Sequence, residues 1–174
     1  MRLNFVGWNY NEKHLVPNEA GIYVLQIQKA LPKLYDIDEK GIMYIGRTAN
    51  LKRRLRIVEN ADWKRDYDKK SHEMFDHSLL TFATDFDENY NLIPRTKYLK
   101  KNGILTKGDT LVLKYSAYRN SRELEQSLLR GHLISFGQLP PFNSHGASLK
   151  EVWNSEDADW DRYIETYKKL VATL

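Results

Sequence analysis

The sequence predicts an α/β (α+β) fold: a small central, mostly antiparallel three-stranded sheet flanked by helices. Three observations carry this. Two apolar, β-favouring runs lie close together, Gly21-Ile22-Tyr23-Val24-Leu25-Gln26-Ile27 and Gly41-Ile42-Met43-Tyr44-Ile45-Gly46, and a third spans residues 110–118. A helical stripe follows the second run, with Leu51, Leu55 and Val58 at i, i+4 and i+7. Two further helical patterns occupy residues 122–136 and about 156–173.

Taken in order, Leu3, Phe5 and Val6 alternate loosely and suit an edge strand, and residues 9–20 form a polar connection containing Pro17 and Asn18. In the first strand, period-two alternation puts Tyr23 and Leu25 on one face and Ile22 and Val24 on the other. Residues 29–40, with Pro32 and the turn-like Asp36-Ile37-Asp38, read as an insertion at a hairpin tip. Gly46 ends the second strand where the backbone turns or comes close to something. A helix over 48–58 follows, with Thr48 or Asn50 as its cap. Arg54 flanks its buried stripe, so two strand tyrosines and a helix arginine converge on one surface.

Residues 59–89 are the least legible. Met74, Phe75, Leu79, Leu80 and Phe82 have roughly helical spacing around 71–84, and the run Asp85-Phe86-Asp87-Glu88-Asn89-Tyr90 breaks it. Residues 92–102 read as a basic, helical segment stopped by Gly103. After the third strand, Ser121 is the cap candidate of a helix whose apolar side is Leu124, Leu128 and Leu129. Glu123 and Glu125 lie in its first turns, favourable for carboxylates near the positive helix end. Gly137 and Pro140-Pro141-Phe142-Asn143 follow. The last helix repeats Trp160, Tyr163, Ile164, Tyr167, Leu170 and Val171 after Asp157 or Asp159 as cap, a stripe for packing against the domain or for a dimer surface.

The 174 residues suit one domain over 1–174: a core of about 20–145, the insertion 29–40, an elaboration over 59–109 and the C-terminal helix. About thirty residues follow Asn143, too few for another domain, so none is expected there. The absence of cysteine excludes disulfides, a thiol nucleophile and Cys-type zinc sites. No apolar run has the length of a signal peptide or a membrane span, so a cytoplasmic protein with no membrane partner is expected. The net charge of +4 is modest, but its distribution is not uniform. Residues 51–70 hold eight basic against four acidic side chains, equal to the whole excess. Arg95, Lys97, Lys100, Lys101 and Lys107 form a second cluster without an acid among them. Two basic stretches around one site suit phosphate contacts; a solvated helix face is the plain alternative.

Gly21-Ile22-Tyr23, then Tyr44-Ile45-Gly46, then Asn50-Leu51-Lys52-Arg53-Arg54-Leu55 resemble the GIY-YIG nuclease family in content and order. The resemblance implies a GIY-YIG fold with insertions. Laid on the family pattern, the helix arginine is Arg54, the metal-ligating glutamate is Glu125 with Glu123 as runner-up, and the asparagine after the proline turn is Asn143. The cofactor implied is Mg²⁺ or Mn²⁺, and the partner is double-stranded DNA, with a homodimer on two-fold sites.

The chemistry needs these residue types. One glutamate, with waters and a phosphate oxygen, can hold Mg²⁺. Arg54 clamps the scissile phosphate in two-pronged fashion. Tyr23 is the candidate to activate water, and Tyr44 positions the water or the phosphate. Arg47, Lys52, Arg53, Arg56, Lys97, Lys100 and Lys101 are candidate DNA contacts. One departure stands out: many family members carry a histidine or tyrosine one turn after the helix arginine, where this chain has Val58. Tyr23 then acts alone, or His72 or His77 substitutes, or the domain binds without cutting. The expected activity is metal-dependent endonucleolytic hydrolysis of restriction or phage type. A structure-specific repair nuclease and a catalytically silent nucleic-acid-binding domain are the alternatives.

Overall fold

The computed structural model describes residues 3–8, 14–60, 84–86, 92–94, 103–104, 106, 111–143 and 159–174. Its strands are β1 (Val6–Gly7), β2 (Gly21–Ile27), β3 (Leu31–Pro32), β4 (Ile37–Asp38), β5 (Ile42–Thr48), β6 (Thr84–Phe86), β7 (Leu92–Pro94) and β8 (Leu111–Ala117). Its helices are α1 (Leu51–Asn60), α2 (Ser121–Phe136) and α3 (Trp160–Thr173). The architecture is mixed α/β with an antiparallel central sheet, as the sequence predicts. That sheet has four strands rather than three, in the order β1-β8-β2-β5, because Val6 and Gly7 pair with Tyr115 and Lys114 at one edge.

Strand β2 is buried along its whole length between β8 and β5. Its alternation divides the core into two layers. On one face Tyr23, Leu25 and Ile27 pack with Leu51 and Leu55 of α1, Met43, Leu113 and Phe142. On the other, Ile22 and Val24 pack with Ile42, Ile45 and the α2 residues Leu124, Leu128 and Leu129. The register slips once, between Leu25 and Gln26, whose partners are Tyr44 and Ile42. Met43 is the extra residue, so Met43 and Tyr44 both turn to the α1 side.

Helix α1 starts later than the spacing predicts. Thr48 is the last residue of β5, and Asn50 is the cap: its Oδ1 accepts from the Arg53 N–H at 2.8 Å. Ser121 is the first residue of α2 rather than its cap; Asn120 holds the cap position without a side-chain bond. Gly137 ends α2 in the left-handed conformation, φ 73°, and its N–H donates to the Leu133 carbonyl at 2.8 Å. Asp159 caps α3 through the Arg162 N–H at 3.1 Å. Gly131 lets α2 and α3 approach closely, since a Cβ there would collide with the Tyr163 carbonyl and Tyr167. Leu92–Pro94 pairs with Thr84–Phe86 as a two-stranded ribbon instead of opening a helix. The aromatic pattern of 71–82, the basic residues 95–102, the side chain of Val58 and Asp157 lie outside the described residues.

The insertion forms its own two-stranded ribbon, β3 with β4, and folds back onto the end of α2. The Tyr35 N–H donates to the Phe136 carbonyl at 3.3 Å, and the Tyr35 ring lies over Gly137. Beneath it sits a buried polar cluster. Asp38 accepts from the N–H groups of Ile42 (2.8 Å) and Lys40 (3.1 Å), with Lys33 Nζ at 3.9 Å and His132 Nε2 at 3.8 Å. His132 Nδ1 lies 2.8 Å from the Gln138 carbonyl, which can only accept, so that bond carries its proton on Nδ1. Burial pushes Lys33 down to about 8, against the opposing pull of Asp38, and holds His132 below its ordinary value. Burial and the Asp38 charge push the Tyr167 hydroxyl up. Asp38, read from sequence as a turn residue, thus anchors the ribbon.

Candidate functional site

Strand β5 is the rail of the site. Tyr44, Ile45, Gly46 and Arg47 follow one another along it, and each meets a different part of the constellation. Tyr23 lies opposite Gly46 in the register, on the α1 side. Its ring is 1% exposed, and its hydroxyl accepts from Arg54 Nε at 3.1 Å. The Arg54 guanidinium lies 5.8 Å from the Tyr23 ring centroid. The Tyr44 ring stands 5.8 Å from that of Tyr23, tilted by 34°, and is less buried. The two strand tyrosines and the helix arginine therefore do converge, as the alternation and the stripe on α1 predict.

Gly46 makes this possible. A Cβ there would collide with the Tyr44 ring and lie 2.7 Å from Tyr23 Cζ and 2.8 Å from its hydroxyl. Gly46 is thus a close-approach glycine inside the strand, which continues to Thr48. Gly46→Ala is expected to expel the Tyr44 ring and to lower the free energy of unfolding by about 1–3 kcal/mol, read by urea denaturation. An unchanged unfolding midpoint would mean that the rings yield freely.

Glu125 reaches β5 from the other side of the sheet edge. Its Oε1 accepts from the Arg47 backbone N–H at 3.1 Å, and its Oε2 pairs with Arg47 Nε at 3.0 Å. The Glu125 side chain is 20% exposed and that of Arg47 44%. Burial raises the Glu125 pKa, and the Arg47 charge and hydrogen bonds oppose the shift. Glu125 is also close enough to Tyr44 to help raise the pKa of its hydroxyl, an effect dominated by burial and reinforced by Tyr23. The tyrosine pair and the glutamate thus share one electrostatic neighbourhood. Glu123, the runner-up, lines a cleft with Arg162, Glu165 and Lys169 between α2 and α3, away from β5.

Asn143 is buried against β5. Its Oδ1 accepts from the Ile45 N–H at 3.0 Å and its Nδ2 donates to the Ile45 carbonyl at 2.8 Å. The Phe142 N–H donates to the Met43 carbonyl at 2.8 Å. Asn143 is therefore a positioning residue that clamps β5 between Tyr44 and Gly46. Along the outer row of β5 this segment bonds the Met43 carbonyl and both polar groups of Ile45, and Glu125 bonds the Arg47 N–H.

Arg47, expected as a phosphate contact, is turned to Glu125. Lys52 and Arg53 are exposed on α1. The Arg56 side chain, Lys97, Lys100, Lys101, His72 and His77 lie outside the described residues. Among the described residues no group of three or more His, Asp or Glu could hold a metal ion. A single half-buried carboxylate suits Mg²⁺, which keeps several waters and takes substrate phosphate oxygens. Glu125 is the half-buried carboxylate that would hold such an ion, and both of its oxygens are bonded to Arg47. Among the described residues no helix is long and apolar enough to cross a membrane.

Comparison with known proteins found no matching family model, curated protein or solved structure.

Proposed function

We propose that this chain is a metal-dependent endonuclease with a GIY-YIG fold that hydrolyses phosphodiester bonds in double-stranded DNA, of restriction or phage type. The observation that supports this best is the convergence along β5: the Tyr23–Arg54 hydrogen bond on one face and the Glu125–Arg47 pair at the edge beside Tyr44. Tyr23, Tyr44, Arg54 and Glu125 are side chains that the family resemblance assigns to catalysis, and Arg47 is its candidate phosphate contact.

In this reading Arg54 holds two oxygens of the scissile phosphate, since its Nε is bonded to Tyr23 and its remaining N–H groups form the fork that phosphate matches. To act as base, Tyr23 would first give its own proton to solvent; the phenolate, held by the Arg54 Nε–H, would then take the proton of the attacking water, and the leaving oxygen would take one from solvent. Tyr44, whose hydroxyl pKa is raised, stays protonated and donates a hydrogen bond to water or phosphate. Glu125 holds Mg²⁺ or Mn²⁺, which when bound neutralises charge developing on the phosphate. Lys52 and Arg53, exposed on α1, follow the backbone of the duplex. A palindromic site calls for two copies of the chain.

The test is nicking and linearisation of supercoiled plasmid, with Mg²⁺ and with EDTA, beside Glu125→Ala. Discrete fragments that need Mg²⁺ and disappear in the variant are expected. Cutting confined to branched or damaged DNA would make it a repair nuclease. Metal-independent binding with no product on any of these substrates would overturn the nuclease reading in favour of a binding domain.

A further inference from the structure

The carboxylate proposed to carry the metal is fully engaged by one residue. Both Glu125 oxygens face Arg47, Oε1 through the strand N–H and Oε2 through the guanidinium. The two bonds differ in kind. The N–H belongs to the backbone of β5 and keeps the carboxylate aimed whatever the Arg47 side chain does. The guanidinium is carried on a side chain that is 44% exposed, and so has room to swing. A divalent ion at Oε2 would sit within a few ångströms of that positive charge, and the two cations repel in a partly desolvated site.

We propose that Arg47 is a metal gate: its guanidinium fills the ligand face of Glu125 in the absence of substrate and withdraws onto a DNA phosphate, so that metal uptake is coupled to DNA binding. The inference rests on the nuclease reading above and concerns how its site is regulated. A phosphate is a better partner for the guanidinium than the glutamate, because it offers two oxygens in the spacing of the guanidinium fork. Once the guanidinium has moved, the Oε1 bond to the strand remains and Oε2 is open to the ion. Coupling of this kind is reciprocal: DNA raises metal affinity by the factor by which metal raises DNA affinity. It also keeps the metal out of a site that holds no DNA.

The experiment measures Mn²⁺ binding to the full chain without DNA, from the loss of the free-ion electron paramagnetic resonance signal. Wild type is compared with Arg47→Met, Arg47→Lys, Glu125→Gln and the double variant Arg47→Met/Glu125→Gln, each checked for folding by circular dichroism. Arg47→Met is expected to bind Mn²⁺ about tenfold more tightly than wild type. Arg47→Lys, which keeps the charge, should stay near wild type, and the gain should vanish in the double variant. An Arg47→Met affinity equal to or below wild type would overturn the gate. So would a gain that survives Glu125→Gln, because the ion would then sit elsewhere. Plasmid cleavage is scored separately. Cleavage by wild type with no gain in Arg47→Met refutes the gate and leaves the nuclease reading intact. A Glu125-dependent gain without cleavage of any DNA refutes the nuclease reading and retains the Arg47–Glu125 competition.

Discussion

Arg54→Ala is expected to slow Mg²⁺-dependent plasmid cleavage by about 10²–10³-fold, the range seen when one preorganised donor to a developing charge is removed. The guanidinium is held before substrate arrives, by the 3.1 Å bond to the Tyr23 hydroxyl and by the Tyr23 ring beneath it. Its loss would remove both the proposed phosphate clamp and the partner that orients Tyr23. Arg54→Lys should recover little, since an ammonium has no planar fork. The fold should tolerate either change. The Tyr23 ring stays packed in the core, and losing one hydrogen bond costs about 1 kcal/mol. Single-turnover cleavage and urea unfolding, measured on the same preparations, separate the two effects. A stable Arg54→Ala protein that cuts at the wild-type rate would remove Arg54 from the site.

Asp38→Ala is expected to lower the free energy of unfolding by about 3 kcal/mol, the low end of the cost of breaking a buried ion pair from one side. The variant leaves Lys33 Nζ buried without its counter-charge and strips the Ile42 and Lys40 N–H groups of their acceptor. The low end applies because Lys33, already pushed down to about 8, can shed its proton and escape part of the penalty. Replacing both partners, as Lys33→Met/Asp38→Leu, should restore part of the loss, because no buried charge then remains. Urea denaturation of the two variants checks this. A loss below about 1 kcal/mol in Asp38→Ala would mean that the ribbon detaches and lets water reach Lys33.

How far the sequence could be read follows from the range of the interactions involved. Strands β2, β5 and β8 and the stripes of all three helices declare themselves, because their apolar spacing repeats over seven residues or more. The two-residue strands β1, β3 and β4 carry no period to detect, so β1 was legible only as a loose alternation and the ribbon only as an insertion. Asp38 follows Asp36 in a run that looks like a turn, and nothing local says that Lys33 and His132 will close over it. Tyr23, Tyr44 and Arg54 meet because they sit on adjacent elements, and strand alternation with the apolar stripe of α1 placed them on one surface. The Arg47–Glu125 pair joins residues 78 apart and crosses from strand to helix, so the chain order shows two charged residues and not their contact. Asn143 was legible as a position but not as a clamp, for the same reason.

The sealed outer row of β5 bears on how two copies of the chain could assemble. An open edge strand is the usual template on which one sheet continues into another. Here Phe142 already occupies the Met43 carbonyl, Asn143 both polar groups of Ile45, and Glu125 the Arg47 N–H. The opposite edge is β1, only two residues long. If two copies pair on one duplex as proposed, a sheet continued through Ile45 of β5 is closed to them.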